Sequence, residues 1–325
     1  MALKLPTLEE ERNPDIQQHK VTIRNSHSEN LVGILHETGS KELVILCHGF
    51  RSSKERIPMV NLAAALAKEG ISAFRFDFAG NGESEGSFQY GNYHKESDDL
   101  RAVVQHFFEE KRQVFAIVGH SKGGNVVLLY ASKYNDVHTV INISGRFDLG
   151  KGIESRLGKD FLGRIKANGF IDVKNRKGKF QYRVTEESLM DRLTTDTRSA
   201  SLLISRNCRS DTTDHFATYS YNFPAVVRVL TIHGSMDNIV PVNDAFEFVN
   251  LIPNHKLHII QGADHEYTLH QVELAAVVLD FIKAAPHQTE DADEQDDQHE
   301  TTKSEVWMQP ARGQEVVAVP NLMAY

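Results

Sequence analysis

The segment Phe115-Ala-Ile-Val-Gly-His-Ser-Lys-Gly-Gly124 decides the fold of this chain. The mostly apolar residues 114–118 predict a buried strand, and residues 125–132 predict a helix with an apolar face. The Gly-x-Ser-x-Gly pattern between them, centred on Ser121, is typical of the nucleophile elbow. This sharp turn lifts a serine hydroxyl clear of the sheet. We expect Ser121 to have an unfavourable backbone conformation, with glycine required at 119 and 123 because strand and helix approach closely there.

The composition limits the classes of protein to which the chain can belong. Its 325 residues suffice for one large α/β domain or two small domains, and 40% hydrophobic with 25% charged residues is typical of a globular protein. The formal net charge of −8 argues against nucleic acid as a partner, because nucleic-acid-binding domains are basic. Cys47 and Cys208 cannot build a disulfide framework, which favours a reducing compartment.

The N-terminal segment carries no recognisable targeting signal. Residues 1–20 are polar and lean acidic, and they lack both the apolar core of a signal peptide and the arginine- and serine-rich character of a transit peptide. No apolar run reaches the roughly 18 residues that a membrane-spanning helix needs. We therefore predict a cytoplasmic protein without a membrane span, with residues 1–20 as an N-terminal extension.

Strands alternate with helices through most of the chain. Eight segments are predicted strands, and the first two form an antiparallel hairpin because turn-rich residues separate them. The predicted strands are residues 21–24, 31–36, 43–47, 71–76, 114–118, 137–143, 227–233 and 257–260. The predicted helices are residues 60–68, 98–110, 125–132 and 270–284. This alternation predicts a mostly parallel sheet covered by helices on both faces, with ligands bound beyond the carboxyl ends of the strands.

Two regions depart from this alternation. Residues 146–222 are too many for a simple connection, and we interpret them as a lid over the ligand edge of the sheet. A surface excursion without a role at the site is the alternative. The segments predicted inside this insertion are a hairpin of residues 170–173 and 180–184 and helices of residues 186–192 and 196–205. Residues 286–325 begin with an acidic stretch poor in apolar residues, which predicts a disordered C-terminal tail.

Ser121 has two candidate partners at the same edge of the predicted sheet. A serine hydroxyl is a weak nucleophile until a base removes its proton. His265 follows the predicted strand 257–260, and Asp237 follows the predicted strand 227–233. The chain order Ser, Asp, His is the order found with a nucleophile elbow. Ser121, Asp237 and His265 are therefore the candidate catalytic residues.

Structural roles are the alternatives for these residues. Any one of the 16 histidines is more often a surface or structural residue than a base. Asp237 could cap a helix near Asp244. Asp264 is a competing acid, but its adjacency to His265 places it poorly for the far ring nitrogen. Asp77 also ends a strand, but it precedes the serine and breaks the chain order.

An oxyanion hole needs two backbone N–H groups aimed at developing negative charge. Lys122, the residue after the candidate nucleophile, is expected to supply one. The loop after the third strand supplies the other, and Phe50 is the candidate there. We expect Gly49 to permit a close turn and His48 to brace the loop rather than act as a second base. The side chain of Lys122 is expected to be incidental.

Neither a cofactor nor a metal is expected. Gly80, Gly82 and Gly86 have the spacing Gly-x-Gly-x-x-x-Gly, which differs from the dinucleotide-binding pattern, and a polar stretch follows them instead of a helix. No paired-histidine or clustered-cysteine pattern indicates a metal site.

Five motifs together carry a resemblance to a known superfamily. They are His48–Phe50, Arg75–Ser84, Gly119–Gly124, His233–Asp237 and Gly262–His265. In this order they resemble the α/β-hydrolase superfamily. More narrowly, they are similar to the serine-aminopeptidase-like and monoacylglycerol-lipase-like esterase branch, which includes cinnamoyl and feruloyl esterases. The resemblance leaves the C-terminal tail unmatched.

The resemblance implies an α/β-hydrolase domain over residues 21–285, with an eight-stranded sheet and a lid after the sixth strand. It also implies a Ser-His-Asp triad, no cofactor, a small-molecule ester as substrate and an acyl-serine intermediate. The alternatives are an acyltransferase or thioesterase with the same triad, and a binding protein or receptor with a hydrolase fold. Two features depart from the relatives. The insertion does not match a phenolic-ester lid, and Lys122 stands where many relatives carry Gln or Met.

Overall fold

The computed structural model describes residues 17–134, 136–204 and 227–284. The strands are β1 (Gln17–Arg24), β2 (Asn30–Glu37), β3 (Glu42–Cys47), β4 (Ser72–Phe76), β5 (Gln113–His120), β6 (Thr139–Ile143), β7 (Phe170–Lys174), β8 (Phe180–Thr185), β9 (Arg228–Gly234) and β10 (His255–Ile260). The helices are α1 (Met59–Lys68), α2 (Tyr93–Glu109), α3 (Lys122–Lys133), α4 (Glu154–Leu157), α5 (Phe161–Asn168), α6 (Glu186–Thr194), α7 (Thr197–Ile204), α8 (Asn243–Leu251) and α9 (Gln271–Lys283).

The eight strands predicted from the sequence form one sheet, in the order β1-β2-β4-β3-β5-β6-β9-β10. β1 pairs with β2 and β2 with β4 in antiparallel fashion. Every other pair in this sheet is parallel. The predicted N-terminal hairpin and the mostly parallel eight-stranded sheet are therefore confirmed.

Helices cover both faces of the sheet, as the unbroken apolar strands predict. In β3, Leu43, Ile45 and Cys47 belong to one buried cluster, whereas Val44 and Leu46 belong to another. Because successive side chains of a strand point to opposite faces, these clusters are the two faces of the sheet. α2, α3 and α8 pack into the first cluster, and α1 and α9 pack into the second.

An insertion separates β6 from β9. Its described part holds α4, α5, the antiparallel pair β7 and β8, α6 and α7. The hairpin and the last two helices were predicted, while the short α4 and α5 were not. The buried residues of α4, α5, β7, β8 and α6 form a small cluster of their own, joined by Tyr90 and the partly buried Phe50 and Phe88 from outside the insertion. The insertion therefore packs on loops at the carboxyl edge of the sheet.

Some of the sequence predictions concern residues that the structure does not describe. The extension up to residue 16, the end of the insertion at residues 205–222, Cys208 and the tail 286–325 lie outside the described residues. Among the helices that the structure describes, none is both long enough and apolar enough to cross a bilayer.

Candidate active site

Ser121 lies in the turn between β5 and α3, with φ 56° and ψ −117°. A residue other than glycine is uncommon at positive φ, so this conformation is the strained one that the pattern predicts. A Cβ at Gly119 would lie 2.0 Å from the carbonyl oxygen of Gly123, and one at Gly123 would lie 2.4 Å from the carbonyl oxygen of Cys47. The close approach of strand and helix therefore excludes any side chain at 119 and 123.

The structure brings Ser121, His265 and Asp237 together. The Nε2 atom of His265 lies 2.9 Å from Oγ of Ser121, and its Nδ1 atom lies 2.6 Å from Oδ2 of Asp237. His265 and Asp237 are each 8% exposed, so the chain of hydrogen bonds is largely shielded from water. In this arrangement an imidazole can accept the serine proton while a carboxylate holds its other nitrogen.

Asp237 is held as an anion by its surroundings. Its Oδ1 atom accepts the backbone N–H groups of Ile239 and Val240, each at 2.8 Å. Burial favours a higher pKa, but the bonds from His265 and from these N–H groups hold the pKa of Asp237 below its usual value. Val242, not Asp237, occupies the position before α8. The helix-cap alternative therefore does not describe this residue.

Asp264, the alternative acid, bonds to Thr268 and not to the imidazole of His265. Its two carboxylate oxygens accept the backbone N–H and the hydroxyl of Thr268, at 2.8 and 2.7 Å. Its role is to shape the loop that carries His265.

His120 contacts the backbone of His265, and sequence reasoning did not single it out. Its Nε2 atom lies 2.8 Å from the carbonyl oxygen of His265. Burial, together with the neighbouring His265, lowers the pKa of His120 to about 3. The ring is therefore neutral, and Nε2 donates to that carbonyl. The only sequence signal is its place before the serine in the Gly-x-Ser-x-Gly pattern.

The loop His48-Gly49-Phe50 lies against Ser121. A Cβ built on Gly49 would lie 3.0 Å from Cβ of Ser121. Nε2 of His48 accepts the N–H of Phe78 at 3.1 Å, and its Nδ1 lies 2.8 Å from the carbonyl oxygen of Gly49. Burial lowers the pKa of His48 to about 4, so the ring is neutral. These contacts fit the expected bracing role.

The two expected oxyanion donors do not use their backbone N–H groups elsewhere in the described structure. Among the described residues, no atom accepts a hydrogen bond from the N–H of Phe50 or of Lys122. Lys122 is the first residue of α3, where a backbone N–H has no partner inside the helix. Both donors are thus available to a ligand at Ser121.

The side chain of Lys122, expected to be incidental, is part of a buried ion pair. Its Nζ lies 2.6 Å from Oε1 of Glu96 on α2 and 5.0 Å from the ring centroid of Tyr93. Burial raises the pKa of Glu96 to about 7, although Lys122 opposes that shift. Oε2 of Glu96 has no hydrogen-bond partner among the described residues. Two separated segments form this pair, which explains why the sequence alone did not reveal it.

A cavity of about 120 Å³ opens beside Ser121. Its walls come from the sheet edge and from the insertion. The lining residues are Phe50, Tyr93, Ser121, Lys122, Asn125, Arg146, Gly152, Ser155, Arg156, Arg192, Asn238, Ile239 and Val240. The lining contains three arginines and no acidic side chain in the described part of the chain. Sequence reasoning named none of these arginines.

His120, His265 and Glu266 form the one described cluster whose ligand atoms could approach a metal ion, within 4.8 Å of one another. Both ring nitrogens of His265 already bond to Ser121 and Asp237, and Nε2 of His120 bonds to a carbonyl oxygen. The donor set therefore fits a hydrogen-bond network better than a metal centre.

Comparison with known proteins places this geometry in context. The family model described as serine aminopeptidase, S33, matches residues 38–271. An uncharacterised protein of Saccharomyces cerevisiae is 26% identical over 245 residues, which cover 70% of this chain and 69% of the yeast protein.

Two solved structures share the fold. Est1E from Butyrivibrio proteoclasticus, with ferulic acid bound, is 21% identical with a TM-score of 0.66, covering 81% of this chain and 98% of that one. The esterase Pf2001 of Pyrococcus furiosus is 21% identical with a TM-score of 0.59, covering 82% of this chain and 91% of that one.

Proposed function

Because the chain belongs to the serine aminopeptidase S33 family of α/β-hydrolases, and is therefore a hydrolase, we propose that it cleaves carboxylic esters at Ser121. The observation that carries the proposal is the continuous series of hydrogen bonds from Ser121 through His265 to Asp237, beside an open cavity. The two solved structures with this fold also favour esters as substrates. Pf2001 is named an esterase, and Est1E was solved with ferulic acid bound.

In the proposed reaction, Nε2 of His265 accepts the proton of Ser121 as Oγ attacks the ester carbonyl. The N–H groups of Phe50 and Lys122 hold the resulting oxyanion. Asp237 keeps the imidazole in the required tautomer and stabilises its charged form. The imidazolium then gives its proton to the leaving alcohol, which departs as the acyl-serine forms. Water, activated by the same imidazole, releases the acid and restores the serine.

The charge of the cavity favours ester cleavage over aminopeptidase activity. An aminopeptidase binds a positively charged α-amino group, which an acidic side chain near the reacting carbonyl would favour. No acidic residue of the described chain lines this cavity, whereas Arg146, Arg156 and Arg192 do. These cations would repel an ammonium group, and this supports ester cleavage as the proposed activity.

We also propose that the insertion acts as a lid over the site. Its described residues supply these three arginines and Gly152 and Ser155 to the cavity wall. The aromatic contacts of Phe50 with Tyr182, at 5.7 Å between ring centroids, join the insertion to the loop with the proposed oxyanion donor.

The test combines labelling with turnover. A fluorophosphonate probe should label the wild type at Ser121, and a panel of aryl, acyl-glycerol and short aliphatic esters should include substrates. Ser121→Ala should abolish labelling and lower kcat by roughly 10⁶-fold, the scale found when the nucleophile of a serine protease is removed. Ser155→Ala, a matched loss of one hydroxyl in the same cavity, should keep labelling and most of the turnover.

Retained turnover in Ser121→Ala would refute the role of that serine. Labelling without turnover on any ester would favour a binding protein or receptor with a hydrolase fold. Product analysis with added alcohol or thiol acceptors separates hydrolysis from acyl transfer.

A further inference from the structure

We propose that the substrate of this site carries an anionic group, a carboxylate or a phosphate, which Arg146, Arg156 and Arg192 bind close to the ester cleaved at Ser121. The inference rests on the proposed ester hydrolysis and names the class of ester.

The three arginines converge from separate parts of the insertion. Arg146 follows β6, Arg156 lies on α4 and Arg192 lies on α6. All three line the cavity that Ser121 also lines. Arg146 and Arg192 are partly buried, while Arg156 is exposed. A group bound in this cavity would therefore meet the nucleophile and several guanidinium groups at once.

No ion pair among the described residues holds the three arginines, and Asp244 is the acid whose charge acts on Arg146. No carboxylate oxygen there lies within 4.0 Å of a nitrogen of the three guanidinium groups. The nearby Asp244 uses Oδ2 to accept the N–H of Phe147 at 2.9 Å. Lys122 differs from the arginines, because Glu96 already pairs with it.

Neutral groups hold the arginines in place. Nε of Arg192 donates to the carbonyl oxygen of Leu149 at 2.9 Å, and Nη1 donates to the hydroxyl of Tyr93 at 3.2 Å. Nη2 of Arg146 donates to the carbonyl oxygen of Ile239. Since a guanidinium has five N–H donors, both side chains keep further donors after these bonds. Carbonyl and hydroxyl acceptors orient the charge without cancelling it.

Arg156 lies against the proposed oxyanion loop. Its guanidinium carbon lies 4.8 Å from the ring centroid of Phe50, the residue with the proposed N–H donor. Its guanidinium group donates no hydrogen bond to another described residue. The guanidinium N–H groups of Arg156 are therefore available to a part of the ligand that lies beyond the reacting carbonyl.

The like charges also act on each other. Burial lowers the pKa of Arg146, the nearby carboxylate of Asp244 raises it, and the like charges of Arg192 and Arg156 lower it. Holding like charges together in a partly buried cavity is unfavourable without a partner, and such arrangements are common at functional sites. A bound anion would relieve this repulsion, and guanidinium groups match carboxylate and phosphate oxygens with paired hydrogen bonds.

The cavity of about 120 Å³ has room for a short group, and both Ser121 and the arginines line it. Esters in which few atoms separate the anion from the reacting carbonyl are therefore the first substrates to test. Half-esters of short dicarboxylic acids have this form.

The test compares matched methyl esters with the wild-type enzyme. Monomethyl succinate carries the carboxylate, methyl 3-phosphonopropanoate carries a phosphonate in its place, and methyl 4-methylpentanoate is their uncharged counterpart. We expect kcat/KM to be at least about tenfold higher for one charged ester than for the uncharged one, because hydrogen bonds to charged groups discriminate on this scale. The preferred charged ester identifies the group as carboxylate-like or phosphate-like.

Substitution then assigns the preference to the arginines. Arg156→Gln and Arg192→Gln should each reduce the ratio of charged to uncharged kcat/KM by roughly ten- to hundredfold. Arg176→Gln is the matched control, because Arg176 is exposed in the turn between β7 and β8 and lies outside the cavity. It should leave the ratio unchanged. A wild-type ratio near one, unaltered by the arginine substitutions, would overturn the inference while leaving ester hydrolysis intact.

A binding measurement separates this inference from the proposed function. Calorimetry with succinate and with inorganic phosphate on the Ser121→Ala protein needs no turnover. We expect one of these anions to bind, and the added Arg156→Gln substitution to weaken that binding at least about tenfold. Absence of binding by both anions would refute the anion site, even if esters are cleaved. Anion binding in this variant, with no ester cleaved by the wild type, would support the site and refute the proposed ester hydrolysis.

Discussion

The charged side chains buried in the sheet region and those lining the cavity from the insertion differ in whether they form ion pairs. In the sheet region, buried charges have partners, as in the 2.6 Å pairs Lys54–Asp77 and Lys122–Glu96. In the insertion, Arg146, Arg156 and Arg192 face the cavity with neutral acceptors only among the described residues. Like charges held together in a partly buried cavity repel each other, and a bound anion would offset that repulsion. Under the proposed function, the residues at the edge of the sheet carry out the reaction and the arginines of the insertion select the substrate.

The two regions also differ in how they fix their side chains. The site residues of the sheet region lie just beyond strand ends, and each is held by buried hydrogen bonds. The insertion has a small core of its own and meets the sheet region through aromatic rings such as Phe50, Phe88 and Tyr182. Substitutions in the first region should therefore change the rate for every ester, whereas those in the second should change the preference among esters.

The largest effect that we expect beyond Ser121→Ala comes from Asp237→Asn. The amide would favour the wrong imidazole tautomer, so kcat should fall by roughly 10⁴-fold for charged and uncharged esters alike. Asp264→Asn is the matched control, because Asp264 adjoins His265 in sequence but bonds to Thr268. A larger loss in Asp264→Asn than in Asp237→Asn would contradict the assignment. Steady-state rates on two esters of different charge provide the measurement.

Lys122→Met tests the buried ion pair that lies where the two regions meet. The substitution leaves Glu96 buried without its cation, and breaking such a pair costs about 3–5 kcal/mol. Without Lys122 the pKa of Glu96 should rise further, so the native state retains a proton that the unfolded state loses. The free energy of unfolding, measured with urea, should therefore fall more at about pH 8 than at about pH 5.5.

The double variant Lys122→Met with Glu96→Gln removes both charges and serves as the control for that experiment. It should recover much of the lost stability and remove the added pH dependence. An equal loss for the single variant at both pH values would show that the pair is not the source of the effect.

The smallest effect concerns acid stability and a buried histidine of the sheet region, His36 on β2. Burial lowers the pKa of His36 to about 4, and its Nε2 accepts from Nε of Arg75 at 3.0 Å. A native pKa below the unfolded one means that stability is lost as the pH falls from about 6.5 towards 4.

His36→Gln keeps an acceptor for Arg75 and removes the titrating group. The pH dependence of the unfolding free energy should therefore become shallower between about pH 4 and 6.5, by up to about 1.4 kcal/mol per pH unit. His19→Gln, which replaces an exposed histidine on β1, should leave the slope unchanged. Equal slopes in all three proteins would show that His36 does not contribute to acid unfolding.

The sequence by itself determined the sheet and the identity of the residues gathered at its edge. Apolar runs bounded by turns mark buried strands, and the Gly-x-Ser-x-Gly pattern marks the turn between β5 and α3. Once parallel strands are recognised, their carboxyl ends must share an edge, so Ser121, Asp237 and His265 could be grouped without coordinates. Local patterns carry this information because each follows from a few adjacent residues.

Only the tertiary structure decided which side chains surround that edge. The four-residue α4 is too short for a clear periodic pattern, and the partner of Lys122 is 26 residues away on another helix. The cationic cavity requires the folded positions of Arg146, Arg156 and Arg192, which no spacing rule connects. The physical reason is that charge pairing and cavity shape depend on distances between separate elements, whereas strand and turn patterns depend on neighbours along the chain.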